Sequence, residues 1–130
     1  MSRRRAQRPV SVVDLLAARG LGPIWGNATD DLNLTLLSWP EGEGPAEHIN
    51  DERDVVIVVI DGEGTLLLDG VEHGLRVGHA VVVPMGVSRA ITAGPNGLRY
   101  LSVHRRRGGL QISRVDRSGG TERPPGGSAT

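Results

Sequence analysis

Polar residues that could form a binding or catalytic site lie at alternate positions in one short stretch: His48, Asn50, Glu52 and Asp54. In an extended chain, alternate side chains leave the same face, so an imidazole, an amide and two carboxylates would line one surface. Mixed histidine and carboxylate ligands suit divalent metal ions. A turn within the stretch would keep His48 and Asn50 on one face and place Asp54 at the head of the next strand.

An unbroken apolar run, 55–60, follows Asp54 directly and contains no proline. Such a run, closed by Gly62, is typical of a strand that is buried on both faces. An unpaired buried carboxylate is very costly, so Asp54 at the head of this strand predicts a partner inside the protein. The stretch therefore indicates a polar cavity.

Two glycine-bounded motifs carry a family resemblance. The spacing of Gly42, His48, Asn50, Asp54 and Gly62 resembles the first motif of the cupin superfamily, where His and Glu usually stand at the Asn50 and Asp54 positions. Gly78, Pro84, Gly86 and Arg89 match the second motif, whose last position usually holds a metal-binding His. The resemblance covers roughly residues 30 to 104 and implies a small, single-domain, stand-alone cupin. Three of the four positions that bind metal in the family are altered.

Arg89 decides what kind of pocket this resemblance implies. A guanidinium keeps its proton in proteins and has no lone pair to offer, so it cannot bind a metal ion. A divalent ion about 5 Å away would be repelled by about 6–7 kcal/mol at an effective dielectric of about 20. We therefore predict no tightly bound metal or other cofactor, with Arg89 placed opposite Asp54. The alternative is a divalent ion held by His48, Asp54, Glu52 and His104, with Arg89 turned outward.

Two further residues complete the predicted site. In the stretch 98–104, Arg99 has the parity expected to face outward, which turns Tyr100 and His104 inward. The predicted ligand-binding set is His48, Asn50, Asp54, Arg89, Tyr100 and His104. We predict that the protein binds a small molecule in its barrel, with Arg89 available to pair an anionic group. The alternatives are a metal-dependent oxygenase or isomerase, whose catalytic residues stay unknown, and a regulatory protein without chemistry.

Composition excludes several other functions. The chain of 130 residues has no Cys, which excludes disulfides and cysteine nucleophiles. All 15 of its basic residues are Arg, so lysine Schiff-base chemistry is excluded as well. Residues 9–104 carry 13 acidic residues and 5 arginines, whereas the remaining 10 arginines lie near the two ends. Since few aromatics accompany those arginines, we expect solvated ends and no nucleic-acid or membrane partner.

The remaining pattern predicts an all-β protein. A Ser-x-x-Asp capping box at Ser11 indicates one short N-terminal helix, 11–19. The strands expected after it cover 31–39, 55–60, 65–68, 71–75, 80–83, 89–93 and 98–104, with an edge strand at 110–113. Asp69-Gly70 predicts a hairpin. Short strands separated by glycine and proline turns indicate a barrel or sandwich, which the resemblance specifies as a jelly-roll, the cupin-type double-stranded β-helix.

The expected organisation is a single cupin domain, 10–113, between a disordered basic N-terminus, 1–9, and a disordered tail, 114–130. If Asp54 faces inward, Val55, Ile57 and Val59 face outward, and so do Leu101 and Val103 on the later strand. Apolar outer faces need a cover, so we predict a homodimer. The basic N-terminus lacks the apolar core of a signal peptide, which favours a cytoplasmic location.

Overall fold

The structure, a computed structural model, describes residues 12–45, 48–49 and 53–106, with the backbone alone at 48–49. Seven antiparallel strands form one sheet within these ranges: β1 (Gly22–Ala28), β2 (Leu32–Trp39), β3 (His48–Ile49), β4 (Val55–Leu68), β5 (Val71–Arg76), β6 (Ala80–Val83) and β7 (Ser88–Arg105). The prediction of an all-β jelly-roll barrel is confirmed. No helix in the described ranges is long and apolar enough to cross a membrane.

Two long strands, β4 and β7, organise the barrel because each contributes to both of its layers. The first half of β4 pairs with the last part of β7 (98–104), and its second half pairs with 89–93. In one layer β1, β2 and β6 join these strands, and in the other layer β3 and β5 do so. Buried residues from both halves, such as Val55, Leu66, Ile91 and Tyr100, form one core. The two layers therefore face each other.

The strand breaks predicted around 61–64 and 94–97 are bends within β4 and β7. The register shifts between Val59 and Asp61 and again between Gly62 and Gly64. At the bend, Asn96 donates from its backbone amide to Glu63 Oε2 at 2.8 Å and from its side chain to Glu63 Oε1 at 3.2 Å. We call Gly62, Glu63, Asn96 and Gly97 the barrel corner.

The N-terminal helix is shorter than predicted. Of the described part of the predicted segment, only Leu15–Ala17 is helical, as a single 3₁₀ turn. Asp14 caps this turn by accepting a hydrogen bond from the Leu16 amide. Ser11, the predicted cap, lies outside the described residues. Arg99 Nη1 fixes the turn to the outside of the barrel by donating to the Leu16 carbonyl at 3.1 Å. Tertiary hydrogen bonding thus replaces the further helical turns that this short segment could not stabilise alone.

The outward set predicted for β4 is wrong. Val55, Ile57 and Val59 are each 1% exposed and belong to the core, whereas Val56 is 36% exposed. The prediction assumed an inward Asp54, but Asp54 is exposed and accepts a hydrogen bond from the Met85 backbone amide at 2.9 Å. Since the carboxylate is satisfied at the surface, the alternate residues of the strand follow it outward.

On β7 the predicted parity is confirmed. Leu98 and Tyr100 are 2% and 3% exposed, and Leu101 and Val103 occupy the outer face, where they are half-buried. The homodimer stays a prediction. The apolar residues of the outer face that now support it are Leu101, Val103 and Val56.

Three further features to compare with the predictions are β1, the Asp69-Gly70 hairpin and the segments near the two ends of the chain. Strand β1 was not predicted, because its glycines, proline and asparagine have low strand propensity; pairing with β2 over six positions stabilises it. The hairpin at Asp69-Gly70 is confirmed, with Asp69 at φ 51° and Gly70 at φ 85°. The predicted edge strand 110–113 and both predicted disordered ends lie outside the described residues.

Candidate binding site at the barrel mouth

One end of the barrel collects the ends of several strands. Strand β2 begins there, β4 begins at Val55, β6 ends at Val83, and β7 both begins at Ser88 and ends at Arg105. We call this end the barrel mouth. Inward-facing polar residues concentrate here, whereas the inner residues further along β4 and β7 are apolar.

Strands β2 and β7 bring polar side chains together as cross-strand pairs. Asn33 lies opposite His104 and Thr35 opposite Ser102, with Leu37 and Tyr100 one pair deeper. Residues directly opposite each other in an antiparallel pair are close enough for their side chains to touch. The inner wall of the mouth is therefore polar at its rim and becomes apolar toward the core.

His104 is held as a neutral imidazole with a defined tautomer. Its Nδ1 lies 3.1 Å from the Arg105 carbonyl oxygen, which can only accept, so Nδ1 carries the hydrogen. Its Nε2 then accepts from the Asn33 side-chain amide at 3.2 Å. Burial lowers the pKa of His104 most strongly; the carbonyl contact opposes this, and the charges of Arg53 and Arg89 lower it further. His104 is therefore uncharged at neutral pH.

Tyr100 is a buried phenol that keeps its proton. Its hydroxyl accepts a hydrogen bond from Trp39 Nε1 at 3.4 Å. Burial raises the pKa of Tyr100, opposed by this hydrogen bond and by the nearby positive charge of Arg89. Because the indole occupies only an acceptor position, the hydroxyl hydrogen can be donated to a ligand.

Arg89 faces the interior from the other layer, where its backbone lies between Leu68 of β4 and His48 of β3. Within the part of the chain that the structure describes, its Nη1 is buried and has no hydrogen-bond partner. Burial lowers the pKa of the guanidinium, with Tyr100 acting in the opposite direction. Arg89 thus brings a desolvated positive charge, with an unused donor, toward Tyr100 and His104.

The predicted pairing of Asp54 with Arg89 is replaced by a different arrangement. Asp54 lies on the outer side of the mouth, in a groove that Val56, Met85, Val103 and His104 also line. Its contact with Met85 anchors the turn between β6 and β7. Among the predicted site residues, Arg89 acts electrostatically on both Tyr100 and His104, whereas Asp54 lies on the outer side and shares its groove with His104.

The rest of the predicted set is only partly described. The backbone of His48 lies beside Arg89, and Asn50 and Glu52 lie outside the described residues. Across 12–45 and 53–106, no three His, Asp or Glu side chains form a group that could hold a metal ion. Both ring nitrogens of His104 have partners and a guanidinium stands at a family ligand position, so the described side chains do not fit a divalent metal.

Asn33 and Trp39 were missed as site residues. Each lies on β2 opposite an inner residue of β7, Asn33 facing His104 and Trp39 facing Leu98. The sequence shows that they share a face of β2, but not which face is inner. The alternation of residues along β2 would have identified them if β7 had been recognised as the neighbouring strand.

Solved structures similar to this one share its architecture. A cupin protein from Bacteroides fragilis matches with a TM-score of 0.55 and 20% identity, over 60% of this chain and 68% of that one. KdgF from a Halomonas species matches with a TM-score of 0.59 and 21% identity, over 65% and 77%. The chain has the cupin fold. At these identities the likeness concerns the fold alone.

Sequence comparison adds one curated relative. The chain is 32% identical over 60 residues to dimethylsulfoniopropionate lyase DddW from Ruegeria pomeroyi. The matched stretch is 44% of this chain and spans 40% of the lyase. No protein-family model matches the chain.

Proposed function

We propose that this cupin-fold protein binds a small anion in the barrel mouth and uses Arg89 as its positive partner, without a tightly bound metal. The observation that carries the proposal is the buried Nη1 of Arg89, which has no partner among the described residues. A buried charged donor without an acceptor is costly, and a carboxylate that accepts from it removes that cost. The fork of a guanidinium matches a carboxylate in geometry as well as in charge.

The neighbours of Arg89 support an anion of low charge. Tyr100 offers a phenol hydrogen, and the lowered pKa of His104 keeps that ring neutral, so neither adds a second positive charge beside Arg89. Trp39 and Leu37 continue the wall inward with less polar surface. A small carboxylate, with its charged end on Arg89 and its remaining atoms on this wall, satisfies the arrangement.

Binding of simple anions to two arginine variants tests the proposal. We expect acetate, propionate or succinate to bind the wild-type protein in titration calorimetry. Arg89→Met should weaken that binding by about tenfold to a hundredfold, since a hydrogen bond to a charged group contributes about 1.5–3 kcal/mol. Arg76→Met is the matched control, because Arg76 is exposed on β5. Equal affinity in both variants, or no binding of any of these anions, would overturn the proposal.

The likeness to the lyase favours a second candidate, which is catalysis on a related compound. The name dimethylsulfoniopropionate denotes a propionate, and a propionate has a carboxylate of the kind that Arg89 could bind. Under this candidate Arg89 positions the carboxylate of the substrate. The test of this candidate is to follow the concentration of dimethylsulfoniopropionate by NMR in the presence of the protein. The experiment is run with and without added divalent metal. Consumption that is lost in Arg89→Met supports it, and an unchanged spectrum rejects it.

A further inference from the structure

A second feature, which opens to solvent, lies one strand away from Arg89. A groove of about 490 Å³ runs along the barrel where β5 and β6 each pair with β4. Apolar side chains of all three strands line it, including Leu66, Leu68, Leu75 and Val81. Its volume lies within the range of small-molecule pockets in proteins.

The groove and the anion site share a wall. Leu68 lines the groove, and its backbone pairs directly with that of Arg89. Leu68 packs against the core, so it faces inward as Arg89 does. Neighbouring strands lie about 4.8 Å apart, so the side chains of Leu68 and Arg89 start from adjacent points of the inner surface.

The residues that line the groove determine which kind of ligand group can bind there. None of the described residues that line the groove is Asp, Glu or Arg. Its polar side chains are His73 and His79, and His79 Nδ1 already accepts from the Arg76 backbone amide at 3.1 Å. A second charged group would lose hydration here without gaining an ionic partner, whereas a hydrocarbon chain would gain apolar contact.

We infer that the ligand is an amphipathic monocarboxylate, with its carboxylate on Arg89 and its hydrocarbon part over Leu68 in the groove between β5 and β6. The inference rests on the proposed anion site and adds the class of the ligand. The charge complementarity of Arg89 selects the head, and the uncharged lining selects the tail.

A chain-length series tests the inference. The affinities of butyrate, hexanoate and octanoate are measured by titration calorimetry below the concentrations at which they aggregate. We expect the affinity to rise about two- to fourfold for each methylene added, which is the gain from burying that group. Arg89→Met should weaken the binding of all three acids.

Two neighbouring leucines give matched variants. Leu68→Asn introduces a polar group into the groove wall and should flatten the dependence of affinity on chain length. Leu67→Asn is the control, because Leu67 lies on the outer face of the same strand at 38% exposure. It should keep the full dependence on chain length.

The outcomes separate the two proposals. If short carboxylates bind through Arg89 but affinity does not rise with chain length, the groove inference is overturned and the anion site stands. The groove inference is also overturned if Leu67→Asn and Leu68→Asn flatten the series equally. If no acid in the series binds, or Arg89→Met changes none of the affinities, the anion site fails as well.

Discussion

The barrel corner and the barrel mouth are built from the same two strands, β4 and β7, but they satisfy their polar groups differently. At the corner, the Glu63 carboxylate accepts two hydrogen bonds from Asn96, so the chain supplies its own partners. At the mouth, Arg89 keeps a buried donor that nothing in the described ranges accepts. A site whose partners come from the chain contributes to stability, whereas a site with an unused buried donor is suited to a ligand. The corner variants should therefore lose stability, and the mouth variants should lose binding.

The largest effect is expected from Gly62→Ala at the corner. Gly62 has φ 78°, and a Cβ there would overlap the Gly97 carbonyl oxygen. The left-handed backbone alone costs an alanine about 1–2 kcal/mol. With the overlap added, we expect the free energy of unfolding to fall by about 3 kcal/mol or more, measured by chemical denaturation. Gly74→Ala is the control, since a Cβ there meets nothing within 4 Å, and it should change stability by less than about 0.5 kcal/mol. Equal losses in the two variants would contradict this account of the corner.

Glu63→Gln should give a smaller loss at the same corner. The amide keeps one acceptor oxygen for Asn96 and loses the second, together with the negative charge. A hydrogen bond on a partly exposed residue contributes about 1 kcal/mol, and we expect a decrease of that size in the free energy of unfolding. Carboxylate binding at the mouth should be unchanged in this variant. A loss of binding as large as that of Arg89→Met would show that the two regions are not separate.

Arg89→Met should have the opposite pattern. If Arg89 paired with a buried Asp54, as the sequence led us to expect, this variant would strand the carboxylate at a cost on the order of 3 kcal/mol. Because Asp54 is exposed and bonded to Met85, the variant does not strand this carboxylate. Replacing a desolvated guanidinium with an apolar side chain should leave the free energy of unfolding unchanged or raise it by about 1 kcal/mol. A clear decrease in denaturation experiments without ligand would mean that Arg89 has an essential partner within the protein.

The smallest effect concerns pH. Burial lowers the pKa of His104 from its ordinary value of 6.5, so below that pH the unfolded chain binds a proton more readily than the folded protein does. The free energy of unfolding should therefore decrease as the pH falls below about 6.5, and this residue should contribute no pH dependence above it. His104→Gln should lack this part of the decrease when thermal unfolding is compared between pH values about one unit above and one unit below that point. His73→Gln, at an exposed position, should keep it. If the free energy of unfolding fell more steeply with decreasing pH in His104→Gln than in wild type, the assignment of this pH dependence to His104 would be wrong.

Much of the fold could be predicted from local patterns. The strands 80–83 and 98–104, the Asp69-Gly70 hairpin and the inward parity of Tyr100 follow from alternation and turn chemistry, which act over a few residues. Strand β1 and the continuity of β4 and β7 through their bends depend on pairing with distant partners, so local patterns did not show them. Among the site residues, Tyr100 and His104 were found by parity, whereas Asn33 required knowledge of which strand lies beside β7.

Two residues show where the sequence was sufficient and where it was not. The glycine and proline spacing around His48 and Arg89 resembles the cupin motifs, and this resemblance indicated the architecture and placed a guanidinium where the family usually has a metal ligand. The sequence could not determine the direction of Asp54, because a carboxylate at the head of a buried strand can be satisfied by a cation inside or by a backbone amide outside. The tertiary structure decided this through the turn that presents the Met85 amide. With Asp54 directed outward, the alternation of β4 places Val55, Ile57 and Val59 in the core, and Asp54 does not serve as the partner of Arg89.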